Sequence, residues 1–358
     1  MGAFLKRKNI VFSARRYGID AMGAMAQGLF CSLLIGTIVK TLGQQLNLQF
    51  LVDVGGFAAA MSGPAMAVAI GYALQAPPLV LFSLATVGYA ANKLGSVTLS
   101  GAAGAGGPLA VLLIAIVAAE CGKAVSKETK VDILVPPLVT ILTGVALSAL
   151  IAPAIGTAAS SVGTFVEWAT VLQPFWMGIL VSVVVGMALT LPISSAAICA
   201  ALGLTGLAGG AAVAGCCAQM VGFAVMSFRE NRWGGLVSQG LGTSMLQMGN
   251  IVKNPKIWIP PILTSAITGP LATCLFKLEM NGAAVSSGMG TCGFVGQIGV
   301  YTGWVNDVAS GAKAAITGMD WAGMVLICFV LPAVLSWVFC EVLRKKGWIK
   351  ENDLKLDL

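Results

Sequence analysis

The sequence predicts an all-α integral membrane protein of about ten or eleven transmembrane helices, built as two inverted five-helix repeats with re-entrant or broken segments. Three observations carry that expectation. The 358 residues are 57% hydrophobic and 10% charged, too little polar side chain to cover a water-facing globule. Apolar stretches near 20 residues, the length a helix needs to cross about 30 Å of hydrocarbon, recur from residue 20 to residue 343. Finally, a series of landmarks in the first half returns in the second.

Residues 1–20 form a basic amino-terminal segment, KRKNIVFSARR, matched by RKKGWIK at the start of the tail 344–358. Basic clusters flanking spans stay in the cytoplasm, so both termini are expected there. No short apolar run with a small-residue cleavage site follows the first cluster, which argues against a cleavable signal, and Lys6 argues against myristoylation. The first membrane repeat is expected over 21–156, with apolar segments near 22–40, 50–75, 77–93, 107–123 and 133–156. Residues 157–173 read as an amphipathic connector in the membrane interface, with Phe165 and Trp168 beside Glu167. The second repeat, 174–278, places its segments near 174–190, 192–205, 206–228, 235–250 and 257–277. Residues 279–343 hold a glycine-rich, re-entrant stretch at Ser286–Gly299 and a conventional last helix from Trp321 to Val342.

The duplication rests on landmarks in common order. ILVPPLVTILTG from Ile133 returns as IWIPPILTSAITG from Ile257, and the Gly106–Gly122 stretch returns as Gly234–Gly249. VGYAANKLG from Val87 faces AGCCAQMVG from Ala214, and GLFCSLLIG from Gly28 faces GILVSVVVG from Gly178. An odd number of crossings per copy forces opposite orientations, an architecture of secondary transporters. With the amino terminus inside, Lys123, Lys127, Lys130, Arg229 and Arg232 fall inside, while Lys253 and Lys256 fall outside, against the positive-inside rule. Stretches such as 107–123, 235–250 and TLSGAAGAGGP are candidates for broken or re-entrant segments, allowed at membrane depth only where protein covers them.

Repeat symmetry nominates polar positions. Glu120 aligns with Gln247 and Asn92 with Gln219, and a carboxylate with three carboxamides can donate and accept several hydrogen bonds to a polar solute. Glu120 stands in an apolar helix at a cost of a few kcal/mol, unless Lys123 or Lys127 one turn on neutralises it. Helix–helix hydrogen bonding is the competing role for Asn92 and Gln247. Ser194 and Ser195, in the TLPISS break, sit where SGP at Ser62 falls in the first copy; exposed amides there suit an anionic or hydroxylated solute, and close packing with a proline kink is the alternative. Asp53 reads as a solvated loop acid.

Several classes are disfavoured. The chain has no histidine, so the usual general base and proton relay are missing, and no GxSxG, Walker-type or HExxH pattern occurs. The nine cysteines are scattered through apolar stretches without metal spacing. An enzyme, a cofactor and a bound metal are therefore not expected. The net charge of +7 reports topology rather than a nucleic-acid partner.

With these landmarks in place, the chain resembles the membrane proteins of the phosphotransferase system enzyme IIC family, in the branch of perfringolysin O regulator-like proteins. The resemblance rests on SGPAMAVAIGYAL, GGPLAVLLIAIVAAECGK, KVDILVPPLVTILTG, LPISSAAI and WIPPILTSAITGPLAT and spans about residues 15 to 345. It implies a homodimeric carrier of the bacterial inner membrane, whose substrate is phosphorylated by separate soluble IIA and IIB proteins. Departures from the sugar carriers are plain: there is no Gly-Ile-Thr-Glu stretch with a nearby histidine, and aromatic residues are 7%. Two functions are consistent with this reading. One is a permease for a small polar solute, a sugar or an organic acid, working by alternating access. The other is a membrane sensor that kept the carrier fold.

Overall fold

The computed structural model describes residues 2–101, 104–170 and 172–356. The fold is helical, and the described residues contain a single isolated extended bridge, Gly206 with Met280. Six of its helices are long and apolar enough to cross a membrane, or seven if one bent pair is a single span. Of the other apolar stretches expected as spans, 77–93 is one unbroken helix, Pro78–Gly95, and those of the second half are shorter or interrupted helices. The chain divides into two compact units, Met1–Ser160 and Ser161–Leu358.

The first unit contains α1 (Gly2–Arg7), α2 (Arg16–Gln45), α3 (Gln49–Ala60), α4 (Ser62–Ala73), α5 (Pro78–Gly95), α6 (Gly107–Val125) and the start of α7 (Val135–Thr170). Its five apolar segments coincide with those read from the sequence. Prolines at the first turns of α5 and α6 start helices without losing a needed donor. Asn47, with φ 52°, turns the chain from α2 into α3, and a bend of 46° separates α3 from α4. Asp53 therefore lies on a helix rather than in a loop, exposed, accepting from Gln49 Nε2 at 2.8 Å one turn away. Gly63 of α4 and Gly88 of α5 face each other so closely that a methyl on either would overlap the other's backbone, the small-residue contact typical of membrane helices.

One end of this unit gathers its basic residues. The Arg16 guanidinium donates to the Leu74 carbonyl at 2.6 Å, tying the start of α2 to the end of α4. Lys8 and Arg7 both pair with Glu128 in the loop after α6, the latter at 2.6 Å. The hydrogen bond from Lys8 chiefly, with Arg7 helping, holds the Glu128 carboxyl below its ordinary value. A lowered folded-state value means that this tether is complete above the ordinary carboxylate range and lost as pH falls through the lowered value. Limited proteolysis of residues 2–12 is thus expected to accelerate on acidification, and to a lesser degree in high salt, because the Arg7–Glu128 pair is solvent-exposed while the Lys8 side chain is covered.

Residues 157–170, expected as a separate connector, continue α7 without a break. Phe165 and Trp168 pack at 5.4 Å on its exposed face, whereas the Glu167 side chain lies outside the described residues. Ala102 and Ala103 of the glycine-rich loop lie outside them as well.

The second unit continues with α8 (Pro174–Thr190), α9 (Ser195–Ala201), α10 (Gly206–Met226) and α11 (Phe228–Val237). A π-turn at Ser238–Gly242 and a 3-10 turn at Ser244–Gln247 lead into α12 (Met248–Lys253). Then come α13 (Pro255–Leu275), α14 (Val295–Ala309) and α15 (Gly318–Lys345). Helix α10 is the axis of this unit, with 16 of its 21 residues buried. Its Gly215 meets the Ser182 carbonyl of α8, which leaves no room for a Cβ. Gly215→Ala is expected to force the two helices apart at a cost of about 1–3 kcal/mol, visible as a lower unfolding temperature.

Contacts fix which ends lie together within this unit. Arg344 near the end of α15 pairs with Glu230 just past α10 at 2.6 Å, and Asn254 before α13 donates to the Trp348 carbonyl at 2.9 Å. Lys256 Nζ lies 5.2 Å from the Trp348 ring centre. Lys253 and Lys256 thus share an end with Arg229, Arg344 and the carboxyl-terminal segment, correcting the expectation that they face the opposite way. The reason is that 238–254 does not cross. Gly240, Gly242 and Gly249 break it into short turns, and it leaves by the end at which it entered.

The opposite end contains the Gly206–Met280 bridge, the Thr273 hydroxyl donating to the Pro174 carbonyl at 2.7 Å, and Asn281 donating to Asp307 at 2.8 Å. From here residues 281–294 descend beside α10, turn at Gly290 and Gly293, both with positive φ, and return as α14. The hairpin reaches Cys217 of α10, where Gln297 Nε2 lies 3.2 Å from the sulfur. Cys217 is 11 residues from Gly206, a depth of about 16 Å along the helix.

Candidate functional site

Two broken segments entering from opposite ends of the second unit therefore meet inside it. At the meeting point the Thr291 hydroxyl, from the hairpin tip, donates to the Gly240 carbonyl of the other segment at 2.5 Å. Buried hydroxyl and amide side chains surround this junction. Thr190, the last residue of α8, lies 2.8 Å from the Ser244 hydroxyl and donates to Gln219 Oε1 at 3.3 Å. The Trp258 indole N–H donates to the same Gln219 oxygen at 2.8 Å. Thr190, Gln219 and Ser244 are all fully buried.

The Gln219 amide is oriented by these bonds. Exchanging its oxygen and nitrogen would set two donors against each other at Trp258, so Nε2 must point elsewhere. That nitrogen has no hydrogen-bond partner among the described residues. A buried amide with an unused donor is costly unless something accepts from it. No lysine or arginine takes part in the hydrogen bonds of this cluster.

The other nominated residues are spent differently. Gln247 is also fully buried, but its Nε2 donates to Gln239 Oε1 at 2.8 Å and to the Leu354 carbonyl at 3.0 Å. Its Oε1 accepts from Asn250 at 2.9 Å. Ser195 donates to the Gly288 carbonyl at 2.8 Å, fastening α9 to the hairpin, and Ser194 beside it is half-buried. In the first unit Asn92 donates to the Ser62 hydroxyl at 3.3 Å, across the α4–α5 contact. Glu120 pairs with Lys123 at 2.9 Å and accepts from the Tyr17 hydroxyl at 3.1 Å. Lys123, 1% exposed, also donates to the carbonyls of Asn9 at 2.8 Å and Leu74 at 3.0 Å. Asn92 borders the start of α6 at Gly107, and Glu120 lies 13 residues further, so about 20 Å separates them along that helix.

Of the residues in this cluster, Gln219 was among those nominated from the sequence, whereas Ser244 and Trp258 were not. A signal for the tryptophan was present: in the duplicated proline landmark it stands where the first copy has Leu134.

A bundle of apolar helices, six of them long enough to cross a bilayer, with broken segments covered by protein, belongs to the class of multi-pass membrane proteins. Residues 19–356 match the model of the family described as Phosphotransferase system, EIIC, and the chain belongs to that family. It is thus one of the membrane transport components of the phosphotransferase system. No curated protein and no solved structure matches it.

Proposed function

We propose that this chain is a permease that moves a small uncharged polyhydroxylated solute, a sugar, across the bacterial plasma membrane by alternating access. The observation that carries the reading is the free Nε2 donor of fully buried Gln219, beside the hydroxyls of Thr190 and Ser244 and the Trp258 ring. Hydroxyl groups of a sugar can accept from the amide and donate to the serine or threonine, and an indole face suits an apolar ring face. The absence of a cation from the cluster's hydrogen bonds favours a neutral solute over an organic acid.

The charge distribution supports an inverted arrangement of two related halves. If the basic end of each unit is cytoplasmic, α2 starts inside and α8 starts outside. Both termini are then cytoplasmic. In this reading Glu120 with Lys123 and Asn92 with Ser62 hold the first unit together, and Ser194 and Ser195 set the position of α9 beside the hairpin. Phosphorylation of the solute falls to soluble IIA and IIB partners, and the permease works as a homodimer in the lipid.

Counterflow of radiolabelled hexoses and sugar acids into proteoliposomes of the purified protein tests this. Saturable exchange of a neutral sugar is expected. Exchange of sugar acids alone would overturn the assignment of a neutral solute, and saturable binding without exchange would make the protein a sensor.

A further inference from the structure

The end of the second unit that carries Arg344 also holds a cavity of about 610 Å³, apart from the Gln219 cluster. Its walls are the start of α11, the end of α15 and the turns at 347–355 that follow. Those turns are fixed in place. The Lys350 N–H donates to the Asp353 carboxylate at 2.8 Å, Asn231 donates to the Leu354 carbonyl at 2.7 Å, and Asn250 donates to the Lys355 carbonyl at 2.8 Å. The cavity is therefore formed before any ligand arrives, and binding does not have to order its wall.

Arg229, Arg344, Lys350 and Lys355 line it together with Glu230 and Glu351. Two of the cations are already matched, Arg344 by Glu230 at 2.6 Å and Arg229 by Glu341 at 3.1 Å. Lys350 and Lys355 remain, exposed and in no ion pair among the described residues, against the single carboxylate of Glu351. This excess suits an anion. Glu230 has a different requirement. Its side chain is 3% exposed and Arg344 reaches only its Oε1, while Oε2 has no hydrogen-bond partner among the described residues. A covered carboxylate oxygen without a donor is costly, and a ligand hydroxyl relieves it. The ligand that meets both needs carries a phosphate for the lysines and a hydroxyl for Glu230.

The depth of the cavity points to the source of such a ligand. Helices α10 and α15 are both long and apolar enough to cross a bilayer, and they end at Met226 and Lys345, beside the cavity. Trp233 on α11, 70% exposed, and Trp348, 44% exposed, stand next to the lining segments, as tryptophans do at headgroup level. Basic pockets between helices at that level hold lipid headgroups. We propose that this cavity binds a hydroxylated phosphate ester, supplied at this depth by the glycerol phosphodiester headgroup of an anionic phospholipid. The phosphate oxygens accept from Lys350 and Lys355, and a glycerol hydroxyl donates to Glu230 Oε2. The site is independent of the transported solute.

Native mass spectrometry of the full-length protein released from detergent micelles tests this with three probes. They are phosphatidylglycerol, phosphatidylmethanol, which has the same phosphodiester without a free hydroxyl, and soluble glycerol phosphate. Phosphatidylglycerol is expected to be retained roughly tenfold better than phosphatidylmethanol, the effect of one hydrogen bond to a charged group. The double variant Lys350→Ala with Lys355→Ala changes only exposed side chains. It is expected to keep its unfolding midpoint without added lipid and to bind phosphatidylglycerol roughly tenfold more weakly. Displacement of the lipid by glycerol phosphate at comparable concentration would leave the binding chemistry standing and make the ligand a soluble ester; no displacement assigns the site to lipid. Equal retention of the two lipids, or undiminished binding by the lysine variant, overturns the proposal.

Discussion

Lys123→Met is expected to lower the stability of the first unit by about 3–5 kcal/mol, the cost of leaving one half of a buried ion pair without the other. The Lys123 ammonium serves three acceptors from three parts of the chain: Glu120 on its own helix, the Asn9 carbonyl before α2, and the Leu74 carbonyl after α4. Removing it strands the Glu120 carboxylate, at 9% exposure, with only the Tyr17 hydroxyl. The two carbonyls fare better, because Arg16 donates to both, at 3.0 Å and 2.6 Å. The double variant Lys123→Met with Glu120→Gln should therefore be less destabilised than the sum of the single changes, by about 1–3 kcal/mol. For a unit of this size a loss of 3–5 kcal/mol corresponds to roughly 6–20 °C in unfolding midpoint, readable by intrinsic fluorescence during heating.

If the proposed sugar is the solute, Gln219→Leu is expected to weaken its binding roughly 5- to 150-fold, the effect of leaving a buried solute hydroxyl without its donor at about 1–3 kcal/mol. The same change removes the acceptor for the Trp258 N–H, so a stability effect will accompany it. Trp258→Phe separates the two effects, since it keeps a ring and leaves the Gln219 amide in place. Its unfolding midpoint should change as Gln219→Leu does, with a smaller effect on sugar binding. By contrast, Gln247→Leu is expected to leave sugar affinity within a few-fold of wild type, because its amide is committed to Gln239, Asn250 and Leu354. Equilibrium binding of the radiolabelled sugar that exchanges in proteoliposomes measures all three variants.

Much of the fold was legible because the bilayer imposes a simple rule: backbone polar groups must be satisfied within the segment, so apolar length reads directly as helix. All five segments of the first unit emerge this way, including the bent pair around Ser62. The second unit was harder. Residues 235–250 have the length of a span, yet Ser238, Gln239, Thr243, Ser244, Gln247 and Asn250 dilute their apolar character and glycines at 240, 242 and 249 let short turns replace one helix. Counting that segment as a crossing put Lys253 and Lys256 on the wrong side, and their breach of the positive-inside rule was itself the clue.

The proposed site was partly legible. Repeat alignment gave Gln219, a position where polarity is expensive in lipid. The alignment cannot distinguish an amide with a free donor from one that holds another part of the chain, and Gln247 is of the second kind. The difference lies in a residue more than 100 positions away, Leu354, which no local pattern links to it. Ser244 was hidden for a similar reason, because its relation to Thr190 exists only once 238–247 folds back on α8 and α10.

The central claim is that segments entering from opposite membrane faces meet at the Gln219 cluster, and side-specific labelling tests it most directly. In a background lacking the exposed Cys31 and Cys274, Lys253→Cys and Ser310→Cys are each exposed to a membrane-impermeant maleimide in intact cells and in inverted vesicles. The account predicts that Ser310→Cys reacts only in intact cells and Lys253→Cys only in inverted vesicles. Reaction of both from the same side of the membrane would contradict it.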